Sequence, residues 1–328
     1  MTMLTILTAG PYTSIQDKGR IGHQALGVPE GGAVDPDARI TANWLVSQPP
    51  EAAGFEIFMG GFSFETDTAL AIALCGSLSD QLTITPASGD ARTEPAGQTI
   101  WLQPGDQVLV PSLQGSNLAF LSVSAHFDLP PVFGSVGTSP NARIGGLDGS
   151  MLRAGDKLPL RATTPSPKQR KLQIECAELF EPRTNFRLVL GPQDFCFEAD
   201  QIEKLTKTGW KLTTRMDRMG LRLSGPSLTH KISADILSDG IVKGAVQVPG
   251  DGQPIILMAD HQTTGGYTKI ACVISTDLPA LTRLAAHRAI HFTIVSQAEA
   301  EQLAREKASL LGKVLPGDHH RSCTIIGS

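Results

Sequence analysis

Aromatic residues are scarce in this chain of 328 residues, with two tyrosines and three tryptophans, and charged residues make up only 18%. No run of lysine and arginine extends beyond a few positions and the net charge is −4. Grip on a nucleic-acid backbone needs clustered cations, so that class of partner is excluded. No apolar segment approaches the ~18 residues of a membrane-spanning helix. The amino-terminal residues lack the basic start of a secretion signal and read as a first strand, so the expected compartment is cytoplasmic. Five cysteines, at positions 75, 176, 196, 272 and 323, form no Cys-x-x-Cys pair, and the eight histidines show no His-x-x-x-His pairing on a predicted helix. Cys75 and Cys272 sit inside apolar runs as buried small hydrophobes, and no metal site is expected. A P-loop, a Gly-x-Ser-x-Gly elbow and a biotin-attachment lysine motif are all missing. Any phosphoryl or carboxyl donor therefore arrives as a free ligand or on another chain.

What is present is turn chemistry: 33 glycines and 22 prolines punctuate short apolar runs in a chain that is 41% hydrophobic. That pattern predicts a mainly β protein with a few short helices. A single core stops growing near ~250–300 residues, so two domains are expected. The boundary falls at residues 161–172, the one stretch with linker composition, separating a module over 1–160 from one over 173–298, with a helix and tail over 299–328. Strands at even intervals between Phe55 and Leu121 point to a sandwich or barrel. Helices are predicted over Pro36–Val46, capped by Asp35 with Ile40, Trp44 and Leu45 on the apolar face, over Glu198–Thr206, after Thr276-Asp277, and after the capping box Ser296…Glu299.

The chain is organised around Ser238–Lys269, read as two strands, Val246–Val248 and Pro254–Met258, that empty into a loop from Asp260 to Tyr267. Within eight residues that loop carries Asp260, His261, Gln262, Thr263, Thr264, the pair Gly265-Gly266 and Tyr267, more hydrogen-bonding capacity than a turn needs. It is taken as a binding site, with Gly265-Gly266 as a candidate nest of N–H groups for an anion. Asp260 ends an apolar strand, where desolvation suits a carboxylate to proton transfer, and His261 either joins it or faces solvent. Asp17 and Asp217 lie in polar loops, read over Gly10–Arg20 and Thr213–Gly220, and either fix turns or act in the chemistry. Arg20 and Arg218 in the same loops either clamp a substrate carboxylate or phosphate or pair with those aspartates.

Several motifs in order, Thr13–Arg20, Gly27–Asp35, Pro130–Ser135, Asp217–Arg222, Gln247–Pro249 with Gln253–Ile255, and Asp260–Tyr267, resemble the carboxyltransferase A/B-domain family, also called allophanate hydrolase subunit 2 and including a component of bacterial 5-oxoprolinase. Ala125-His126 stands where the family usually has Gly-Gly, and Leu221 where it often has Tyr. The resemblance implies two cyclophilin-like β-barrel modules and a sister subunit (allophanate hydrolase subunit 1 or its 5-oxoprolinase counterpart), with a third 5-oxoprolinase subunit. It implies an ATP-dependent opening of the 5-oxoproline lactam to glutamate, with ATP bound on this chain or on a companion. Two alternatives are a carboxyltransferase that takes its carboxyl group from biotin on another chain and acts on urea, and a non-catalytic partner that sequesters the sister subunit. Under the first scheme Asp260, Asp17 and Asp217 are the catalytic candidates. Arg20, Gln24, Arg218, Gln247, Gln253 and Gln262 to Tyr267 bind substrate, Arg20 or Arg218 taking its carboxylate.

Overall fold

The computed structural model describes residues 2–162, 167–172 and 178–315. Cys176, Cys323, residues 163–166 of the expected linker and the tail from Pro316 lie outside the described residues. The described residues gather into two compact units, one within Met1–Gly19, Gly31–Glu181 and Ala308–Ser328, the other within Arg20–Glu30 and Pro182–Lys307. Among the described residues no helix is long and apolar enough to cross a membrane.

The strands of the first unit are β1 (Thr2–Ala9), β2 (Tyr12–Gln16), β3 (Gly54–Phe58), β4 (Phe62–Thr66), β5 (Leu70–Cys75) and β6 (Gln81–Thr85). They continue with β7 (Arg92–Pro95), β8 (Ile100–Leu102), β9 (Gln107–Val110), β10 (Leu118–Val123), β11 (Ala125–Phe127) and β12 (Lys157–Ala162). A seven-stranded sheet has the order β11-β12-β1-β4-β9-β6-β7, and a five-stranded sheet the order β2-β3-β10-β5-β8. Alternation decides which face is apolar: Phe62 and Phe64 of β4 are buried while Ser63 and Glu65 are half-exposed. Both sheets turn that face to one core, in which Leu4, Ile6 and Phe64 meet Phe55, Ile72 and Leu121. Strands β5 and β10 are apolar without alternation because α1 (Pro36–Leu45) covers their second face.

Helix α1 starts where its cap predicts, with the Asp35 carboxylate accepting from Ala38 N at 3.0 Å and Pro36 in the first turn. Its buried face is Ala38, Ala42 and Leu45 rather than the expected Ile40, Trp44 and Leu45. Ile40 and Trp44 are half-buried at its flanks, because small side chains let the helix approach Ala71, Ala73 and Phe120 closely. Residues 167–172 run against the first unit: Lys171 bridges Gln98, and Thr99 N donates to Arg170 O at 2.9 Å.

The second unit contains β13 (Asn185–Leu190), β14 (Trp210–Met216), β15 (Gly220–Ser224), β16 (Asp235–Gly240), β17 (Ala245–Val248), β18 (Ile255–Leu257), β19 (Thr264–Val273) and β20 (Ala289–Ile294). Their order is β13-β20-β14-β15-β18-β17-β19-β16. Because β13 pairs with β20 on one side and β19 on the other, seven of these strands close into a barrel and β16 lies outside it on β19. Helices α2 (Ala199–Lys207), α3 (Leu278–Thr282) and α4 (Gln297–Val314) stand where the sequence pattern places them. In the capping box Ser296 N donates to Glu299 Oε2 at 2.7 Å and Glu299 N to Ser296 Oγ at 3.2 Å.

Three stretches read as loops are strands. Tyr12–Gln16 is β2, Thr213–Met216 completes β14 with only a tight turn after it, and Thr264–Tyr267 opens β19. Ladder hydrogen bonds to neighbours decide this, and composition does not reveal those neighbours: Thr13 pairs with Ile57, Met216 with Leu221, and Gly265 with Asp239.

Asp277, at the cap position of α3, makes no cap bond with its side chain. Its fully buried carboxylate instead accepts from Arg187 N (2.8 Å), Nε (3.1 Å) and Nη2 (2.6 Å) and from Arg183 Nη2 (2.9 Å). Burial alone would raise its pKa, but the Arg187 hydrogen bonds and the charges of both arginines hold it below the ordinary 3.8. A carboxylate depressed by folding contributes stability that is present above that ordinary value and lost as pH falls through the folded one. The unfolding midpoint of the chain should thus exceed that of Asp277→Asn at neutral pH, and the gap should close below about pH 4. Denaturant titrations at both pH values check this, and a gap that widens on acidification refutes it.

Candidate functional site

Closure of the barrel gives every strand an inner and an outer side. Leu221 and Leu223, Val246 and Val248, and Ile256 are buried inside with Trp210, Leu212 and Ile290. Their neighbours Arg222, Gln247, Ile255 and Leu257 then face outward. On this outer wall lies a cleft of about 530 Å³. Its polar lining is Thr214, Arg215, Asp217, Arg222, Gln247, Gln262 and Tyr267, and Met216, Met219, Ile255 and Leu257 supply an apolar surface. Ile241 and Ala245 pack against Leu257 and Ile255 beside it.

Asp217 N and Gly220 O close the turn between β14 and β15 at 3.2 Å. The Asp217 Oδ1 accepts from Met219 N at 2.8 Å and Gly220 N at 3.1 Å. The residue thus fixes the turn and borders the cleft. Arg218 and Asp260 do not line it. They form a buried pair in which Arg218 Nε and Nη2 each donate at 2.8 Å to Asp260 Oδ2 and Oδ1. Arg218 therefore pairs with Asp260, and both carboxylate oxygens face a guanidinium. His261 is buried, not solvent-facing. Its Nδ1 lies 2.6 Å from Gln262 O, a carbonyl that can only accept, so this nitrogen carries the proton.

Gly265 and Gly266 form no nest. Both lie in extended β19, where successive N–H groups point to opposite sides. Gly265 matters through space instead, since a Cβ there would come 2.8 Å from Gln247 Nε2 and 3.4 Å from Gln262 Nε2. Gln253 clamps backbone away from the cleft, its Oε1 accepting from Gly225 N at 3.0 Å and its Nε2 donating to Gly225 O at 3.1 Å. The Thr263 carbonyl accepts from Ile241 N at 3.1 Å, and Thr264 pairs with Gly240. Gln24 begins a short turn over Gln24–Leu26, and Arg20, fully buried, donates its N–H to Glu30 O at 2.6 Å. Asp17, in the first unit, accepts from Gly19 N (2.8 Å), Ser135 Oγ (2.5 Å) and Val136 N (2.8 Å), which ties two loops together.

Sequence reasoning missed Arg215 and Arg222, whose side chains are exposed at the cleft. Among the described residues no ion pair engages either guanidinium. The signal was there for Arg222, which alternates with the apolar Leu221 and Leu223. Arg215 lay in the stretch taken for a loop, where no outward face could be assigned.

Residues 26–294 match the model of the family described as carboxyltransferase domain, subdomain A and B. The chain belongs to that family. The resemblance carried by the motifs is therefore borne out, as is the mainly β fold. Curated members include a 5-oxoprolinase subunit of Escherichia coli, 34% identical over 91% of this chain and 93% of that protein. The Haemophilus influenzae protein of the same name is 31% identical over 95% and 97%. Among solved structures, the urea amidolyase of K. lactis superposes with a TM-score of 0.87 at 24% identity, over 95% of this chain. The chain spans only 20% of that enzyme, a likeness of fold.

Proposed function

We propose that this family member belongs to an ATP-dependent 5-oxoprolinase, as the subunit whose outer-wall cleft takes the cyclic amide. The guanidiniums of Arg215 and Arg222, engaged by no ion pair among the described residues, carry the reading, because they border a cleft that also holds the carboxamides of Gln247 and Gln262. 5-Oxoproline presents a carboxylate beside an amide, whereas urea is neutral and gives two cations nothing to hold. The likeness to two proteins named as 5-oxoprolinase subunits, over nearly their whole length, supports the same choice.

Ring opening of an unstrained lactam is driven by transfer of the ATP γ-phosphoryl group to the amide oxygen, releasing ADP. Water then adds to the activated carbon, the C–N bond breaks with a proton passing to nitrogen, and hydrolysis frees phosphate and glutamate. This chain binds and orients the lactam. Asp260 serves as the anchor of Arg218 and not as the proton acceptor, since both its oxygens accept from that guanidinium.

The test is reconstitution with the sister and third subunits in the cytoplasmic extract of a bacterial host lacking its own enzyme. Glutamate should form from 5-oxoproline in step with ADP, and no product should form from urea with a carboxylated biotin carrier. Carboxyl transfer to urea without lactam opening would establish the carboxyltransferase reading instead. Tight assembly with no turnover of either would establish a sequestering role.

A further inference from the structure

The Gln247 side chain lines the cleft and the residue is only 2% exposed, yet among the described residues its Nε2 has no hydrogen-bond partner. A buried amide left unpaired is destabilising, a cost removed when a ligand supplies the missing partner. Gly265 sits opposite the Gln247 carboxamide with an extended backbone that any residue could adopt, so it is space that demands glycine. An added Cβ would lie 2.8 Å from Gln247 Nε2 and 2.5 Å from Ile241 Cδ1. Rotation about the last side-chain bond exchanges the two ends of the carboxamide, so either donor or acceptor can face the cleft.

Resting on the cleft as the site of a small cyclic amide, we infer that Gln247 reads the edge of that amide. Its Nε2–H donates to the ring carbonyl oxygen and its Oε1 accepts from the ring N–H. A five-membered lactam is locked with N–H and C=O on the same side, an arrangement that open-chain secondary amides strongly avoid. A primary carboxamide carries the complementary donor and acceptor along one edge, which makes two parallel hydrogen bonds available at once. Gln262 Nε2, 3.4 Å from the same point beside Gly265, supplies a second donor to the carbonyl oxygen. Recognition is thereby divided: Gln247 and Gln262 select the cis amide, Arg215 and Arg222 select the carboxylate, and Gly265 sets specificity by keeping the amide pair unobstructed.

The experiment titrates the full chain, assembled with its companion subunits, with 5-oxoproline and with cyclopentanecarboxylate by calorimetry. Cyclopentanecarboxylate keeps a five-membered ring and the carboxylate at the same net charge but lacks the amide. The unsubstituted complex should prefer 5-oxoproline by about tenfold to hundredfold, the worth of the buried hydrogen bonds. Gln247→Leu should remove most of that preference while leaving cyclopentanecarboxylate affinity unchanged, and Gly265→Ala should weaken 5-oxoproline by about tenfold. Should Gln247→Leu fail to fold, Gln247→Glu keeps the shape and loses the donor, and should lose the preference equally. Retention of the full preference in the folded Gln247 variant overturns this inference while leaving the cleft's function standing. Absence of 5-oxoproline binding in the unsubstituted complex overturns the function itself.

Discussion

Replacing Asp260 with alanine should destabilise the second unit by about 3–5 kcal/mol, the cost of leaving one member of a buried ion pair uncompensated. Arg218 and Asp260 have side chains 1% and 2% exposed, and the two donated hydrogen bonds are both 2.8 Å long. The loss would be read by denaturant unfolding followed through tryptophan fluorescence, since Trp210 is wholly buried in this unit. Replacing both partners by apolar residues, Arg218→Met with Asp260→Leu, should restore most of the midpoint, because a buried pair contributes little over a well-packed apolar one. A change under about 1 kcal/mol for Asp260→Ala would mean that the carboxylate is not structural. The proton-transfer role expected from its place at the end of an apolar strand would then regain its footing.

Arg215→Ala together with Arg222→Ala should raise KM for 5-oxoproline about 100-fold in the assembled complex. Each exposed, charge-assisted contact is taken at the low end of its range, about 1.5 kcal/mol, and tenfold corresponds to about 1.4 kcal/mol. Since no ion pair of the described residues engages either side chain, stability should not change. Binding of 2-pyrrolidone, which has the lactam without the carboxylate, should be unaffected by the same substitutions. An equal loss for both ligands would show that the arginines shape the cleft and do not read charge.

Much of the fold was legible because it depends on neighbours in sequence. Turn residues between short apolar runs located the strands from Phe55 to Leu121, and the caps at Asp35 and Ser296 located α1 and α4 at their observed starts. The polar stretches were misread for the converse reason. Thr213–Met216 and Thr264–Tyr267 are extended because other strands flank them, and a strand on the outer wall of a barrel can be as polar as a loop. The candidate site was half legible. Asp217, Gln247, Gln262 and Tyr267 belong to motifs and do line the cleft, while Gln253, from the same motifs, holds Gly225 instead.

By itself the sequence determined the family, the mainly β class and the local starts of helices and turns, because periodicity, caps and ordered motifs are written in adjacent residues. Only the tertiary structure decided that the 42-residue span from Arg218 to Asp260 closes into an ion pair. It likewise decided that β13 seals the barrel between β19 and β20, and that Gln247 is buried beside a glycine with no partner for its Nε2 among the described residues. Those facts depend on which distant groups share a small volume after water has been excluded, and no local pattern encodes that.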